Sequence, residues 1–305
     1  MLKKHLHSLN YIDGSFHPEN QYLNLIKDII SDGYEFNGRN GATLSIFGSS
    51  MVFNLENNQI PILTTKKMAW KTCFKELLWF IRGETDNTIL QNQNVKIWND
   101  NATREFLDSR GLTKYPENDL GPIYGFQWRH FNAEYTGVNS DYSGKGRDQL
   151  TEIIEQLKNP ETRNSRRLIL TAWNPCQIDE MALPPCHIMC QFNVTDNEYL
   201  SCSLYQRSGD VGLGVPFNIL SYSILTCLIA NLCDLKPLEF IYNLGNAHIY
   251  LDHLDGLKEQ IKRVPYSFPK LFINNKPENI QDYTLENLLI EEYRFYDLIK
   301  LKMRQ

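Results

Sequence analysis

Apolar residues recur at helical spacing from Tyr22 to Ile30, and the Asp32-Gly33 pair that follows is a turn signal, so a first helix and a stop are expected there. Beyond Arg39-Asn40-Gly41-Ala42, alternation over Thr43 to Phe47 predicts a strand. A second helix is predicted from Trp70 to Ile81, with Phe74, Leu77, Leu78 and Ile81 on one face, Glu76 close to that face, and Arg82-Gly83 ending it. From Ser109 to Gln149 the chain is rich in Gly, Pro, Asn, Asp and Tyr, and irregular structure holding Tyr124, Gln127, Trp128 and Arg129 is expected. A helix at Leu150 to Lys158 stops at Asn159-Pro160. Strands then follow at Leu168 to Trp173, Ile188 to Val194 and Tyr199 to Gln206, the last two joined by a hairpin at Asp196-Asn197. The run Ile219 to Leu232 reads as a buried helix, Phe240 to Leu244 as a strand broken by Gly245, and His253 to Lys262 as helix or loop. Strands interleaved with helices, without repeats or a linker, predict a single α+β domain with one large sheet.

Composition narrows the class. The chain has 305 residues, enough for a sizeable core, and its net charge of −5 gives no general attraction to nucleic acid. Any bound anion therefore needs a local arginine cluster. Seven cysteines, an odd number at irregular spacing, point to free thiols in a reducing compartment. The N-terminus lacks the apolar block of a signal peptide, so no export is expected, and the apolar run from Ile219 falls short of the roughly 20 residues that span a bilayer. No membrane association is predicted.

Candidate chemistry centres on Pro184-Pro185-Cys186-His187, where two prolines hold a cysteine rigidly, and on Gln206-Arg207-Ser208-Gly209-Asp210 and Pro216-Phe217-Asn218. A thiolate nucleophile needs a nearby cation, which Arg207 can supply; the alternative is an inert core thiol. Arg39, Arg163, Arg166, Arg167 and Arg207 are either solvated surface residues or, together, a phosphate clamp, because the guanidinium fork matches phosphate oxygens. Glu76 is either a core-edge carboxylate or an acid/base group raised by burial. Asn218 caps a helix or reads a base edge, and His248 and Tyr250 are satisfied core residues or a pair of ligand donors on one face. Cys186, His187 and Cys190 with His248 and His253 fit no common zinc spacing, so no metal is expected. The run Gly209 to Gly214 lacks a P-loop lysine and reads as a tight turn.

Taken in order, Arg39 with Leu44-Ser45-Ile46-Phe47-Gly48, Glu76-Leu77-Leu78-Trp79-Phe80, Asp119-Leu120-Gly121-Pro122-Ile123-Tyr124-Gly125, Ser165-Arg166-Arg167, Pro184-Pro185-Cys186-His187, Gln206-Arg207-Ser208-Gly209-Asp210, Pro216-Phe217-Asn218-Ile219 and His248-Ile249-Tyr250 closely resemble thymidylate synthase. The resemblance spans nearly the whole chain, with residues 1–20 as an extension and 21–305 as the domain. It implies a large mixed sheet flanked by helices, a homodimer through the sheet face, and conversion of dUMP to dTMP. Methylenetetrahydrofolate would be the co-substrate, supplying both the carbon and the hydride and leaving as dihydrofolate.

On that resemblance, Cys186 attacks the uracil ring, while Glu76 and Tyr124 manage proton transfers and Asn218 recognises the base. Arg39, Arg207 and Ser208 hold the phosphate, with Arg166 and Arg167 donated by the other subunit. His187, Gln206, Asp210, His248 and Tyr250 complete the nucleotide site. Trp98, Asn101, Leu183, Asp210, Gly214 and Phe217 line the folate pocket, and Lys66 and Lys67 meet a polyglutamate tail. With no reductase segment in the sequence, dihydrofolate is expected to be recycled elsewhere. The expected location is the cytoplasm, with passage through the nucleus compatible with the sequence.

Several positions depart from the family pattern. Glu292 stands where Gly is expected, Phe295-Tyr296-Asp297 where Pro-His-Pro is expected, and Gln305 where the family ends on an apolar residue. These predict altered closure of the C-terminal segment, affecting folate more than nucleotide. Asn246 replaces Asp and is expected to change hydrogen bonding near the sugar. Two other readings are a pyrimidine nucleotide hydroxymethylase of the same superfamily and a catalytically silent RNA-binding homologue. Asn218 suits uracil rather than cytosine, Trp98 excludes water, and the acidic net charge does not favour RNA.

Overall fold

The protein is described by a computed structural model over residues 17–38 and 40–304. Arg39 and Gln305, both singled out above, and most of the predicted extension lie outside the described residues.

One mixed sheet of six strands organises the chain in the order β1-β2-β6-β5-β4-β3. These are β1 (Tyr34–Gly38), β2 (Gly41–Asn54), β3 (Ile169–Thr171), β4 (His187–Thr195), β5 (Tyr199–Asp210) and β6 (Lys236–Tyr250). All neighbours are antiparallel except β5 and β6. A parallel pair needs a crossover, and α7 (Gly214–Leu232) supplies it. A small second ladder pairs β7 (Lys270–Ile273) with β8 (Leu288–Glu291).

Helix α7 is apolar all round, as expected of a helix enclosed by protein. At 19 residues it is long and apolar enough to cross a membrane, but 83% of its most apolar window is buried in the fold. It starts five residues before the expected Ile219 because Pro216 falls in the first turn, where a missing N–H costs nothing. Asn218 therefore lies inside the helix rather than at its cap; Leu213 holds the cap position without a side-chain bond. Helices α1 (Asn20–Asp32) and α2 (Trp70–Ile81) have the expected faces, with Leu23, Ile26 and Ile29 of α1 and Phe74, Leu77, Leu78 and Ile81 of α2 buried. Arg82 and Gly83 close α2, Gly83 at a φ of 74°.

Three further expectations need correction. Gly245 does not break its strand: β6 runs through it, and a Cβ there would meet the Arg207 carbonyl oxygen at 2.8 Å, so glycine permits close approach of β5. The Ser109–Gln149 segment is not wholly irregular, since α5 (Tyr124–His130) forms within it and buries Tyr124, Phe126, Gln127 and Trp128. Strand β1 was not anticipated, and β5 extends to Asp210, carrying the whole Gln206–Asp210 motif. The Asp196-Asn197 hairpin is present, with φ of 52° and 56° at its two turn residues.

The helices α1 and α7 pack against one face of the sheet. Across the other face run aligned rows such as Thr171-Met189-Tyr205-Asn243-Ser50 and Ile169-Gln191-Ser203-Ile241-Val52. No helix among the described residues covers them. Phe47, on the same side near β1, is 82% exposed.

Candidate active site

The site forms where the start of β4, the end of β5 and the first turns of α7 meet the buried ends of α2 and α5. Prolines 184 and 185 have fixed φ angles and no N–H, so the segment entering β4 is stiff and offers only carbonyls. Arg207 on β5 takes them: its Nε donates to the Pro185 oxygen at 2.8 Å and an Nη to the Pro184 oxygen at 3.0 Å. The same guanidinium lies 4.0 Å from the Cys186 Sγ and 5.7 Å from the Trp173 ring. On its other side the Cys186 N–H donates to the Tyr124 hydroxyl at 2.7 Å.

These contacts set the thiol. Burial pushes Cys186 up from its ordinary value, and Arg207 and Tyr124 only partly pull it back. Without ligand the expected thiolate is therefore mostly a protonated thiol at neutral pH. Arg207 spends its hydrogen bonds on backbone carbonyls.

Glu76 comes from α2 with an oxygen accepting the Trp98 indole N–H at 2.8 Å. Burial raises its carboxyl to about 7, against a smaller lowering by that bond, so near neutrality it is poised to gain or lose a proton. Tyr124 packs on Phe80 at 4.9 Å and stacks on His187 at 4.1 Å. His187 is held neutral, with burial lowering its pKa to about 3. Gln206 accepts from the Tyr242 hydroxyl at 2.7 Å and donates to the Ser208 oxygen at 2.8 Å, which locks its amide.

Beside this lies a cleft of about 310 Å³ lined by Thr43, Ser45, Ser208, Asn246, His248 and Tyr250, among others. His248 and Tyr250 do share a face, their rings 5.5 Å apart. The Asn246 amide oxygen sits 3.0 Å from the His248 Nδ1, and burial lowers the pKa of that ring. An uncharged amide here does not hold the imidazole protonated as a carboxylate would. The Asn218 amide has no hydrogen-bond partner among the described residues, and neither has the Ser208 hydroxyl.

Not every predicted contact has the expected form. The Lys66 ammonium is buried, donates to the Gly212 oxygen, and has its pKa lowered to about 8 by burial. It fastens the loop after β5 instead of reaching solvent, whereas Lys67 is exposed, 5.4 Å from the Phe295 ring. Asp210 accepts from the Gly212 N–H at 2.8 Å. Trp98 and Asn101 are buried, Asn101 with an unpaired Nδ2, while Leu183 and Phe217 are partly buried against the core. Gly214 opens α7, where a Cβ would stand 3.9 Å from the Asn218 Oδ1.

Arg166 and Arg167 are exposed and distant. Ile169 pairs with Gln191 and Gln191 with Ser203, so Arg167 is level with Ser201. Six residues of strand, about 20 Å, separate it from Arg207. Among the described residues, a single chain does not bring Arg166 and Arg167 to Arg207 as the expected clamp requires.

The C-terminal segment runs beside Lys67 and the Gly212 loop, with Phe295 near the Lys67 ammonium and Leu301 close to Gly212. Tyr293 donates to the Leu63 oxygen and accepts from the Met68 N–H. Arg294, Tyr266, Tyr296 and Arg263 form a ladder of alternating cation–ring and ring–ring contacts at 4.5, 4.9 and 5.4 Å. Further along, His253 bonds the Lys302 oxygen at 2.7 Å and Arg304 pairs with Asp252. Glu292 adopts a φ of 61°, the left-handed region that favours glycine.

Sequence reasoning missed Tyr222, Trp173 and Tyr242. Tyr222 lies in the apolar α7 run, where an aromatic residue reads as core. Only contact with a motif residue, here His187, could have distinguished it.

A family model described as thymidylate synthase matches residues 20–305. The bifunctional dihydrofolate reductase-thymidylate synthase of Plasmodium chabaudi is 53% identical over 300 residues, covering 98% of this chain and 51% of that protein. The bifunctional protein of the same description from Leishmania major is 50% identical over 290 residues, covering 94% and 55%. The thymidylate synthase of Ascaris suum is 52% identical over 286 residues, covering 93% and 96%. This chain spans about half the length of the bifunctional relatives it matches.

Proposed function

The chain belongs to the thymidylate synthase family, and we propose that it reductively methylates dUMP to dTMP, consuming methylenetetrahydrofolate and releasing dihydrofolate. The observation that carries this reading is the setting of Cys186: a thiol 4.0 Å from Arg207, its amide tied to Tyr124, among the residues by which the family is recognised.

The Cys186 sulfur, once ionised, adds to the sixth carbon of the uracil ring, and the electron pair moves towards the fifth carbon and the O4 oxygen. The free Asn218 amide, one donor and one acceptor, matches the N3–H and O4 edge. The fifth carbon then bonds to the one-carbon unit, and its proton must leave before the folate amine departs. Tyr124 and Glu76, the latter titrating near neutrality, are suited to moving that proton through water. Hydride from the folate reduces the exocyclic carbon as the sulfur is expelled, so the folate ends oxidised to dihydrofolate and the enzyme is unchanged. Buried Trp98 helps keep water from replacing the hydride.

The reading includes a symmetric homodimer. Its support is the sheet face that no helix among the described residues covers and the roughly 20 Å between Arg167 and Arg207, which leaves room for arginines from a second chain to complete the phosphate clamp. Incubation with dUMP and methylenetetrahydrofolate, followed by mass analysis of the nucleotide, tests the activity. A ring methyl with stoichiometric dihydrofolate is expected; hydroxymethyl or unmodified nucleotide would overturn it.

A further inference from the structure

His187 is enclosed by aromatic rings: stacked on Tyr124 at 4.1 Å and edge-on to Phe80 at 5.9 Å and Tyr222 at 5.4 Å. Its Nδ1 lies 2.8 Å from the Tyr222 hydroxyl. Tyr222 projects from the third turn of the core helix α7, is 2% exposed, and its phenol is kept protonated by burial. Among the described residues that hydroxyl has no other hydrogen-bond partner. A buried O–H proton needs an acceptor, and His187 Nδ1 is the acceptor within reach. The ring nitrogen that accepts carries no proton, so the proton of the neutral imidazole resides on Nε2.

We infer that Tyr222 is a positioning residue that fixes His187 as its Nε2–H tautomer and turns that N–H towards the reacting pyrimidine as a donor. Nε2 lies across the ring from Nδ1, so with Nδ1 turned to α7 it faces away from the core helix; it has no partner among the described residues. His187 directly follows the proposed nucleophile and shares Tyr124 with it, one ring stacked and one amide bonded. A neutral Nε2–H in this place polarises a ring carbonyl, directly or through one water, without placing a full positive charge beside the thiol. The ligand side of this inference rests on the proposed function; the tautomer does not.

The two parts are tested separately. In full-length protein labelled with nitrogen-15 at histidine, His187 is expected to show a pyridine-type Nδ1 and a pyrrole-type Nε2, unchanged between pH 5 and 9. A pyrrole-type Nδ1 in the wild type overturns the inference whether or not the protein methylates dUMP, and the wild-type spectrum decides this even if no variant folds. Tyr222→Phe removes the hydroxyl alone; it is expected to mix the tautomers and lower kcat about tenfold, the worth of one hydrogen bond, with KM for dUMP within about twofold. Unaltered kcat would refute the role. In a His187→Ala background the same change is expected to have no further effect on kcat; a second tenfold loss would show that Tyr222 acts only on the fold.

Discussion

Replacing Glu76 by Gln should make the protein more stable and nearly inactive, and the size of the gain should depend on pH. In the folded chain burial raises this carboxyl from its ordinary 4.5 to about 7, with the Trp98 N–H opposing the rise. The folded pKa stands above the unfolded one, so the folded chain keeps a proton that the unfolded chain releases between about pH 4.5 and 7. Stability is therefore lost as pH rises through that window and stays low above it. At about 1.36 kcal/mol per pH unit the loss approaches ~3 kcal/mol, an upper bound because Glu76 is only partly buried. Gln keeps an oxygen for Trp98 and has no charge to bury. Urea unfolding of both proteins from pH 4 to 9 should give equal stabilities near pH 4.5 and a gap of about 1–3 kcal/mol favouring Glu76→Gln at pH 8, while kcat falls by roughly 10²- to 10⁴-fold. A gap that does not change with pH would refute the assignment of a raised pKa.

Other outcomes follow from single contacts. Arg207→Ala removes the cation beside Cys186 and should raise the thiol pKa further, slowing iodoacetamide alkylation at pH 7.5 about tenfold; an unchanged rate would mean the 4.0 Å approach has no electrostatic effect. Glu292→Gly relieves a left-handed backbone at the expense of one exposed ion pair with Lys270, so urea titration should show a change between zero and about +1 kcal/mol. A clear loss of stability would argue against strain there. Restoring Pro-His-Pro at residues 295–297 removes Tyr296 from the cation–ring ladder and Phe295 from Lys67, and should shift the folate KM while leaving that of dUMP unaltered. Identical steady-state constants would count against a role for this segment in closure. Cys186→Ala and Arg166→Ala/Arg167→Ala proteins, each inactive alone, should regain about one quarter of wild-type activity when mixed and re-equilibrated, because half the dimers then hold one complete site. No recovery would place the arginines and the cysteine in the same subunit's site.

Much of this architecture was legible because local pattern and tertiary role agree. The α2 stripe Phe74-Leu77-Leu78-Ile81 is both the helical signal and the buried surface. Legibility failed where a residue's local meaning was overridden by a neighbour distant in sequence. Gly245 signals a break, yet the backbone of Arg207 needs the space a side chain would take. Pro216 reads as an interruption, yet the first turn of α7 has no use for its missing N–H. Helix α5 is short and its Gly125 looks like a loop residue, but a Cβ there would meet the Phe80 oxygen at 2.4 Å, so glycine lets α5 lie against α2. The candidate site was legible as motif residues, Cys186, Glu76, Arg207 and Asn218, because their types and order are specific. What supports them was not: Tyr222 and Tyr242 look like core, and the inward turn of Lys66 depends on a carbonyl more than 140 residues away.

The position of Arg207 has a further consequence for charge balance. One guanidinium serves both the Cys186 sulfur and, in the proposed reaction, a phosphate monoester carrying close to two negative charges at neutral pH. The two demands compete, since an anion seated on Arg207 reduces the positive field felt by the sulfur, and an ionised sulfur weakens the anion by the same factor. Inorganic phosphate alone should therefore slow alkylation of Cys186 in the isolated subunit. A site holding phosphate and thiolate together carries about three negative charges against one positive, so in the proposed dimer the arginines supplied by the second chain would do more than tighten binding: they would restore the neutrality that lets the nucleophile stay ionised while the substrate is in place.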